Sequence, residues 1–437
     1  MDIFLPVVYA LFGLFLLRKY PWFKPDGIPL AWVSWAFILK ILGGLSIWAV
    51  YTYHYSYRET SDAFRYFDDA MLIYGTLQDD PAIYFRFLFG INLEDPSLEP
   101  ILAKLRGWHS SYTYGIANDN PTVIRANAVV AIFSLGNYHV HTVFMAFFSL
   151  VGLTGFYAFL APLAGKHKKW LYACSMLLPT IWFWGSGVLK EPLLILFTGL
   201  MLWSLSRLRM FSAKSALLLL VSCLGLFFMK PYTIMAMIPG LFTYAVLILS
   251  GSSRAWLKAG MVHLFFFLAA SNSSVFFRGG DFLHIINRKK TDFYNVAEAY
   301  NAGSTIEIPE SNSLPDLLIH SPGALVRAYL RPHLFEVKSV FYLANALENL
   351  ALTLLLLGTV LALFYFSAQP TPEFLLSLSF IIVLGVLIGS VVPVMGAIVR
   401  YKLPALPFIA ACGIAGWSAF LLSLRSGQKP MSFFRRG

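Results

Sequence analysis

Apolar runs close to the ~20 residues that a helix needs to cross a bilayer recur along the whole sequence, and they restrict its fold more than any other feature. They fall at about 3–17, 30–53, 140–163, 171–184, 188–205, 216–229, 232–249, 259–270, 343–366, 374–391 and 403–424. A chain of this kind buries its backbone polar groups in lipid only as helices or a closed barrel, and runs of this length favour helices. Composition agrees: 13% of the residues are charged and 58% hydrophobic, against about 25% charged in a soluble domain. The expected fold is all-α, a polytopic membrane bundle of about 11 transmembrane helices forming one domain over 1–437. Two large outer loops, 54–137 and 271–342, interrupt it and carry interfacial helices. Val123–Leu135 is apolar but too short to cross, bounded by Pro121 and Gly136, and reads as a helix lying in the interface.

The formal charge of +11 sits mostly in short loops between spans, which points to topology and excludes nucleic acid as a partner. Placing Arg18, Lys19 and Lys24, Lys166–Lys169, Arg207–Lys214, and Arg254 and Lys258 inside puts the N-terminus outside and the C-terminus, with Arg425, Lys429, Arg435 and Arg436, inside. The first run lacks a basic segment before it and a small-residue cleavage site after it, so it reads as a span and not a signal peptide. Cys174, Cys223 and Cys412 all lie in apolar runs, and no disulfide is expected. No internal repeat or low-complexity segment is evident.

Against this background the decad Ser61–Ala70, SDAFRYFDDA, is unusual: three carboxylates among aromatics directly after a span. As a helix it sets Asp62, Tyr66 and Asp69 on one face, the polar floor of a site opening outside the membrane. The alternative is a solvated turn whose acids pair with Arg58 and Arg65. Charges at span ends are costly and are functional candidates by default. The cations Lys190, Lys230, Arg331, Arg400 and Lys402 fall on the same outer face in this topology and suit a phosphate or diphosphate on a lipid carrier. Glu191 stands beside Lys190 where Gly185, Ser186 and Gly187 break an apolar hairpin. Lys40 is expected to snorkel. His139 and His141 lie two residues apart, on different sides of a helix, which disfavours a shared metal. Asp68 and Asp69 suit a hard divalent cation; no cofactor is otherwise required. Without a phosphate-cradling loop, any energy for chemistry comes with the substrate.

Three motifs carry a resemblance. Asp62…Tyr66…Ala70 matches an Asp-x-x-x-Tyr-x-x-x-Ala pattern, Arg400-Tyr401-Lys402-Leu403-Pro404-Ala405-Leu406-Pro407 matches an Arg-Tyr-basic-x-Pro-x-x-Pro run, and Pro179…Phe183-Trp184…Lys190-Glu191 forms a Pro-aromatic-Lys-Glu hairpin. Together they resemble the GT-C class of integral membrane glycosyltransferases of bacterial envelope polysaccharide assembly, which use polyprenyl-phosphate-linked sugars. The resemblance implies a bacterial inner-membrane enzyme, a polyprenyl-linked sugar donor, and a glycan or lipid acceptor amid membrane lipid. It implies Asp62 as general base in an inverting hexosyl transfer, Asp68 or Asp69 orienting the acceptor, and Phe64, Tyr66 and Trp108 as stacking faces for sugars. Arg400, Lys402 and Lys190, with Lys230 and Arg331, would stabilise the departing lipid phosphate. Two other readings use the same groups: a polymerase or ligase joining lipid-diphosphate oligosaccharides through Arg327 and Arg331, and a lipid-linked sugar transporter or flippase.

Overall fold

The computed structural model describes residues 3–55, 58, 61–108, 118–207, 212–276, 281–299, 304–337, 339–365 and 370–426. The tail cations Lys429, Arg435 and Arg436 lie outside the described residues. The chain is all-α among these residues, with an isolated bridge between Thr305 and Val394 in place of any strand. In order the helices are α1 (Phe4–Lys19), α2 (Leu30–Tyr53), α3 (Asp62–Asp79), α4 (Pro81–Phe89), α5 (Glu99–Leu102), α6 (Asn120–Ser134), α7 (Tyr138–Ala164), α8 (Lys168–Leu177), α9 (Pro179–Phe183) and α10 (Lys190–Ser206). There follow α11 (Ala213–Met229), α12 (Pro231–Ser250), α13 (Ala255–Ser271), α14 (Ser273–Phe276), α15 (Phe282–Ala299), α16 (Leu314–Tyr329), α17 (Val340–Tyr365), α18 (Pro372–Val391), α19 (Met395–Tyr401) and α20 (Leu406–Ser426).

Six of these stretches are long and apolar enough to cross a bilayer: Leu30–Tyr53, Tyr138–Leu177, Pro231–Ser250, Tyr342–Phe364, Pro372–Val391 and Met395–Arg425. The chain is a multi-pass membrane protein. Shorter apolar helices, α11 and α13, expose Leu220, Phe227, Leu264 and Phe265, the greasy exterior that lipid demands. The span expected at 171–184 is instead two helices. Pro179 pushes the residue before it out of the helical region, and Leu178 sits at φ −52°, ψ 126°, separating α8 from α9.

The helices group into two compact units. The first comprises Met1–Ser111, Gly115–Phe156 and Ile181–Pro231. Part of it is built on α3, which starts where the Ser61 hydroxyl accepts the Phe64 N–H and buries Ala63, Phe64, Tyr66, Phe67, Asp69, Ala70 and Ile73. That face packs on α6 and α4 around Tyr84, Phe87, Leu98, Leu105 and Ile124. Helix α4 begins at Pro81 behind an Asp80 cap and ends at Gly90, φ 71°, in the left-handed region. Helix α7 crosses α10 with backbones in contact: a Cβ on Gly199 would overlap the Gly152 carbonyl, and one on Gly155 the Gly199 carbonyl.

Among the described residues the second unit comprises Tyr157–Thr180 and those from Tyr232 onward. Here α17 packs along α20 and α16 along α18. Gly358 and Gly416 let the first pair approach closely, as Ala324 and Gly389 do the second. Tyr294 of α15 ties down the segment beyond it, donating to the Ile306 carbonyl at 3.2 Å and accepting the Ile308 N–H at 3.2 Å.

Candidate functional site

In the first unit the decad is helical, and its three carboxylates meet different surroundings. Asp62, in the first turn of α3, is partly exposed. Asp68 is exposed and bonded by Arg58, Nη2 to Oδ1 at 2.6 Å and Nε to Oδ2 at 3.2 Å. That pair is the solvated arrangement weighed above, realised at Asp68. Asp69 is 2% exposed. Its Oδ1 accepts the Arg106 N–H at 3.0 Å and its Oδ2 the Gly107 N–H at 2.8 Å, pinning a turn to the helix. Burial pushes the Asp69 carboxyl up from its ordinary range against the pull of those donors. Asp68 and Asp69 therefore do not converge on a cation, and among the described residues no three His, Cys, Asp or Glu side chains gather into a metal site.

Trp108 differs from its expected role as a sugar platform. It is 6% exposed, edge-on to Phe87 with centroids 5.7 Å apart, and covered by the Arg125 guanidinium 5.1 Å from its centroid. It is part of the core beneath α3. Phe64 is likewise buried, with the Arg58 guanidinium 4.0 Å from its centroid.

Tyr66, one turn beyond Asp62, gathers the polar groups. Its hydroxyl donates to Asn120 Oδ1 at 3.2 Å, and Asn120 Nδ2 donates to the Gly107 carbonyl at 2.7 Å. The Lys190 ammonium lies 5.5 Å from the Tyr66 ring centroid and pairs with Asp119 Oδ1 at 2.5 Å. Lys190 and Glu191 open α10, where a carboxylate complements the helix dipole. Glu191 is fully buried and faces Lys230, at the end of α11, at 3.7 Å. The first unit thus joins Tyr66, Lys190, Glu191 and Lys230 of the expected set with Asp119 and Asn120, which sequence reading missed. The signal available for those two was the polar Asn118-Asp119-Asn120 immediately before Pro121, a helix-start pattern.

In the second unit Lys402 is 0% exposed. Its ammonium reaches Asn349 Oδ1 at 2.5 Å and Glu348 Oε1 at 3.5 Å. Glu348 also accepts the Thr180 N–H and hydroxyl at 2.5 and 2.7 Å, and Asn349 donates to the Pro332 carbonyl at 3.0 Å. Lys402 is thereby a satisfied internal cross-link and presents no free ammonium to a lipid phosphate. Glu348 is a second missed residue, and its signal was a lone carboxylate in an apolar run. Arg331 is bound by Glu336, Nε to Oε1 at 2.9 Å, and Arg327 Nε donates to the Gly389 carbonyl at 2.8 Å. The hydrogen bonds from Arg331 hold the Glu336 carboxyl below its ordinary value. Arg400 is half-buried, and its neighbour Tyr401 stacks on Tyr232 at 5.1 Å and meets Phe293 edge-on at 5.6 Å.

The two histidines part company. His141 is buried between Asn127 Oδ1 at 2.9 Å and Ser134 Oγ at 2.8 Å, zipping α7 to α6, while His139 lies edge-on to Trp48 at 4.9 Å. Lys40 does not snorkel: it is 0% exposed and bonded wholly inside the protein. No protein-family model, no curated protein and no solved structure matches the chain. What fold and site define together is an all-α multi-pass membrane protein whose described residues include buried ion pairs in each compact unit.

Proposed function

We propose that the protein is a membrane glycosyltransferase that moves a sugar from a polyprenyl-phosphate-type donor to an acceptor hydroxyl, with Asp62 as general base. The observation that carries this reading is the face of α3 on which a partly exposed Asp62 stands one turn from Tyr66, whose ring lies 5.5 Å from the Lys190 ammonium. In this reading Asp62, one turn before Tyr66, supplies the proton acceptor and Lys190, beside the Tyr66 ring, the anion partner for one bound sugar. Asp62 takes the acceptor proton as the acceptor oxygen bonds to the anomeric carbon. The bond from that carbon to the lipid phosphate breaks with inversion, and the phosphate leaves with the electron pair. Lys190 exchanges Asp119 for that phosphate, and its charge stabilises the leaving group. The reading takes the chain through a bacterial inner membrane about eleven times, N-terminus outside, with the Asp62 face outside as well.

The test is transfer of labelled sugar by the purified chain in lipid from a panel of polyprenyl-phosphate and polyprenyl-diphosphate donors. Wild type is expected to form product that Asp62→Asn, folded, loses by about 10²-fold or more, the usual worth of a positioned base. Equal product from both variants removes Asp62 from the chemical step. Product only from diphosphate-linked oligosaccharides identifies a polymerase, and movement of the donor across vesicles without covalent product identifies a transporter.

A further inference from the structure

Lys40 lies within the apolar helix α2, and nothing in the proposed chemistry uses it. Its ammonium is 3.2 Å from the Ile181 carbonyl, 3.1 Å from the Gly185 carbonyl and 3.3 Å from Ser186 Oγ. An ammonium has three N–H donors, and each finds one of these acceptors. They share one location: the last turn of α9 and the non-helical stretch after it. The main-chain carbonyls freed where a helix stops are left without partners, and inside a bilayer that is costly.

The rest of α2 is shaped to the same stretch. Trp182 Nε1 donates to the Leu39 carbonyl at 2.7 Å, and Ser186 Oγ donates to the Trp182 carbonyl at 2.5 Å. A Cβ on Gly43 would overlap the Trp182 carbonyl, and one on Gly44 would stand 2.6 Å from the Ser186 carbonyl, so α2 lies directly against the break. From there the chain turns tightly, the Leu189 N–H reaching the Gly187 carbonyl at 2.8 Å, and enters α10 at Lys190 and Glu191. All of these contacts lie within the first unit.

We infer that Lys40 is a positioning residue: by holding the 181–187 break against α2 it fixes the start of α10, and so the direction in which Lys190 meets Tyr66 and Asp119. The inference rests on the proposed role of Lys190 for its catalytic consequence, but the clamp itself is independent of any activity. Lys40→Met keeps the length of the side chain and removes every donor to the Ile181 and Gly185 carbonyls and to Ser186 Oγ. Lys40→Arg keeps donors at the same place.

The experiment uses the full chain in lipid, in a background where Cys174, Cys223 and Cys412 are replaced and Leu189→Cys reports on the turn. Maleimide labelling of that buried site is expected to rise at least about tenfold in Lys40→Met, with Tm within about 3 °C of the parent, and to return toward the parent rate in Lys40→Arg. In sugar transfer Lys40→Met is expected to lower kcat by about 10²-fold, as a displaced catalytic group does, and to add little to the loss in Lys190→Gln. Unchanged labelling in a folded Lys40→Met, or fully additive losses in the double variant, overturns the inference. Should Lys40→Met not fold, Lys40→Gln, with two amide donors in place of three ammonium ones, carries the same comparison. If wild type transfers no sugar from any donor, the transferase reading fails while the labelling still decides the clamp.

Discussion

Asp68 and Asp69 are neighbours in sequence with opposite surroundings: one meets water and Arg58, the other closes a turn from inside. Removing the buried acid strands the Arg106 and Gly107 N–H groups, so Asp69→Ala is expected to destabilise the first unit by roughly 2–5 kcal/mol, and Asp69→Asn, which keeps one acceptor, by less. Thermal unfolding in detergent checks both. At Glu336 the effect is one of pH. Its folded carboxyl is depressed by Arg331, so its contribution is complete above the unfolded value of about 4.3 and is lost as pH falls through the folded one. The Tm gap between wild type and Glu336→Gln is therefore expected near pH 7 and to narrow as pH falls through the folded carboxyl's depressed value; a gap that does not depend on pH contradicts the assignment. At this scale the sequence was a partial guide. The spacing of Asp62 and Tyr66 set them on one helix, whereas Asp119 reaches Lys190 from a distant segment that no periodicity marks. The cations were visible as charges, but pairing with Glu191, Glu348 and Glu336 is a property of three-dimensional packing.

Helix α3 was legible because its apolar positions recur at helical spacing and Ser61 caps it. The division of α8 from α9 was written in Pro179 but was outweighed by the continuous apolar run around it. Helix crossings were less visible still, since a glycine in an apolar run does not say which helix it faces. The α17–α20 contact depends on Gly358 and Gly416, where a Cβ on the second would overlap the carbonyl of the first. Gly416→Leu is expected to force these helices apart and to cost several kcal/mol, about 3 or more, read as loss of monodisperse protein or a large fall in Tm. The same change at Gly260, which has nothing within 4 Å of a built Cβ, is the control and is expected to be nearly silent.

For the whole molecule, low charge and recurring apolar runs sufficed to read an all-α multi-pass protein, because the bilayer leaves few alternatives. The number of crossings was harder: α1, α10, α11 and α13 have 16 or 17 residues, below the length at which hydropathy alone decides. The proposed orientation makes a direct prediction. Single cysteines at Lys24 and Lys166 are expected to react only from the cytoplasmic side, and one at Asn92 only from the outer side; the reverse pattern inverts the map.

The pairing of Glu348 with Lys402 bears on how the protein is made. Glu348 is synthesised before Lys402, and a carboxylate within an apolar segment is unfavourable for insertion, at a cost that reaches about 2.5–3.5 kcal/mol at a helix centre. The nascent segment therefore depends on a partner still to be translated. A chain truncated after Val391 is expected to leave α17 poorly retained in the membrane and exposed to quality-control proteolysis, and Glu348→Gln in the same truncation to restore its retention.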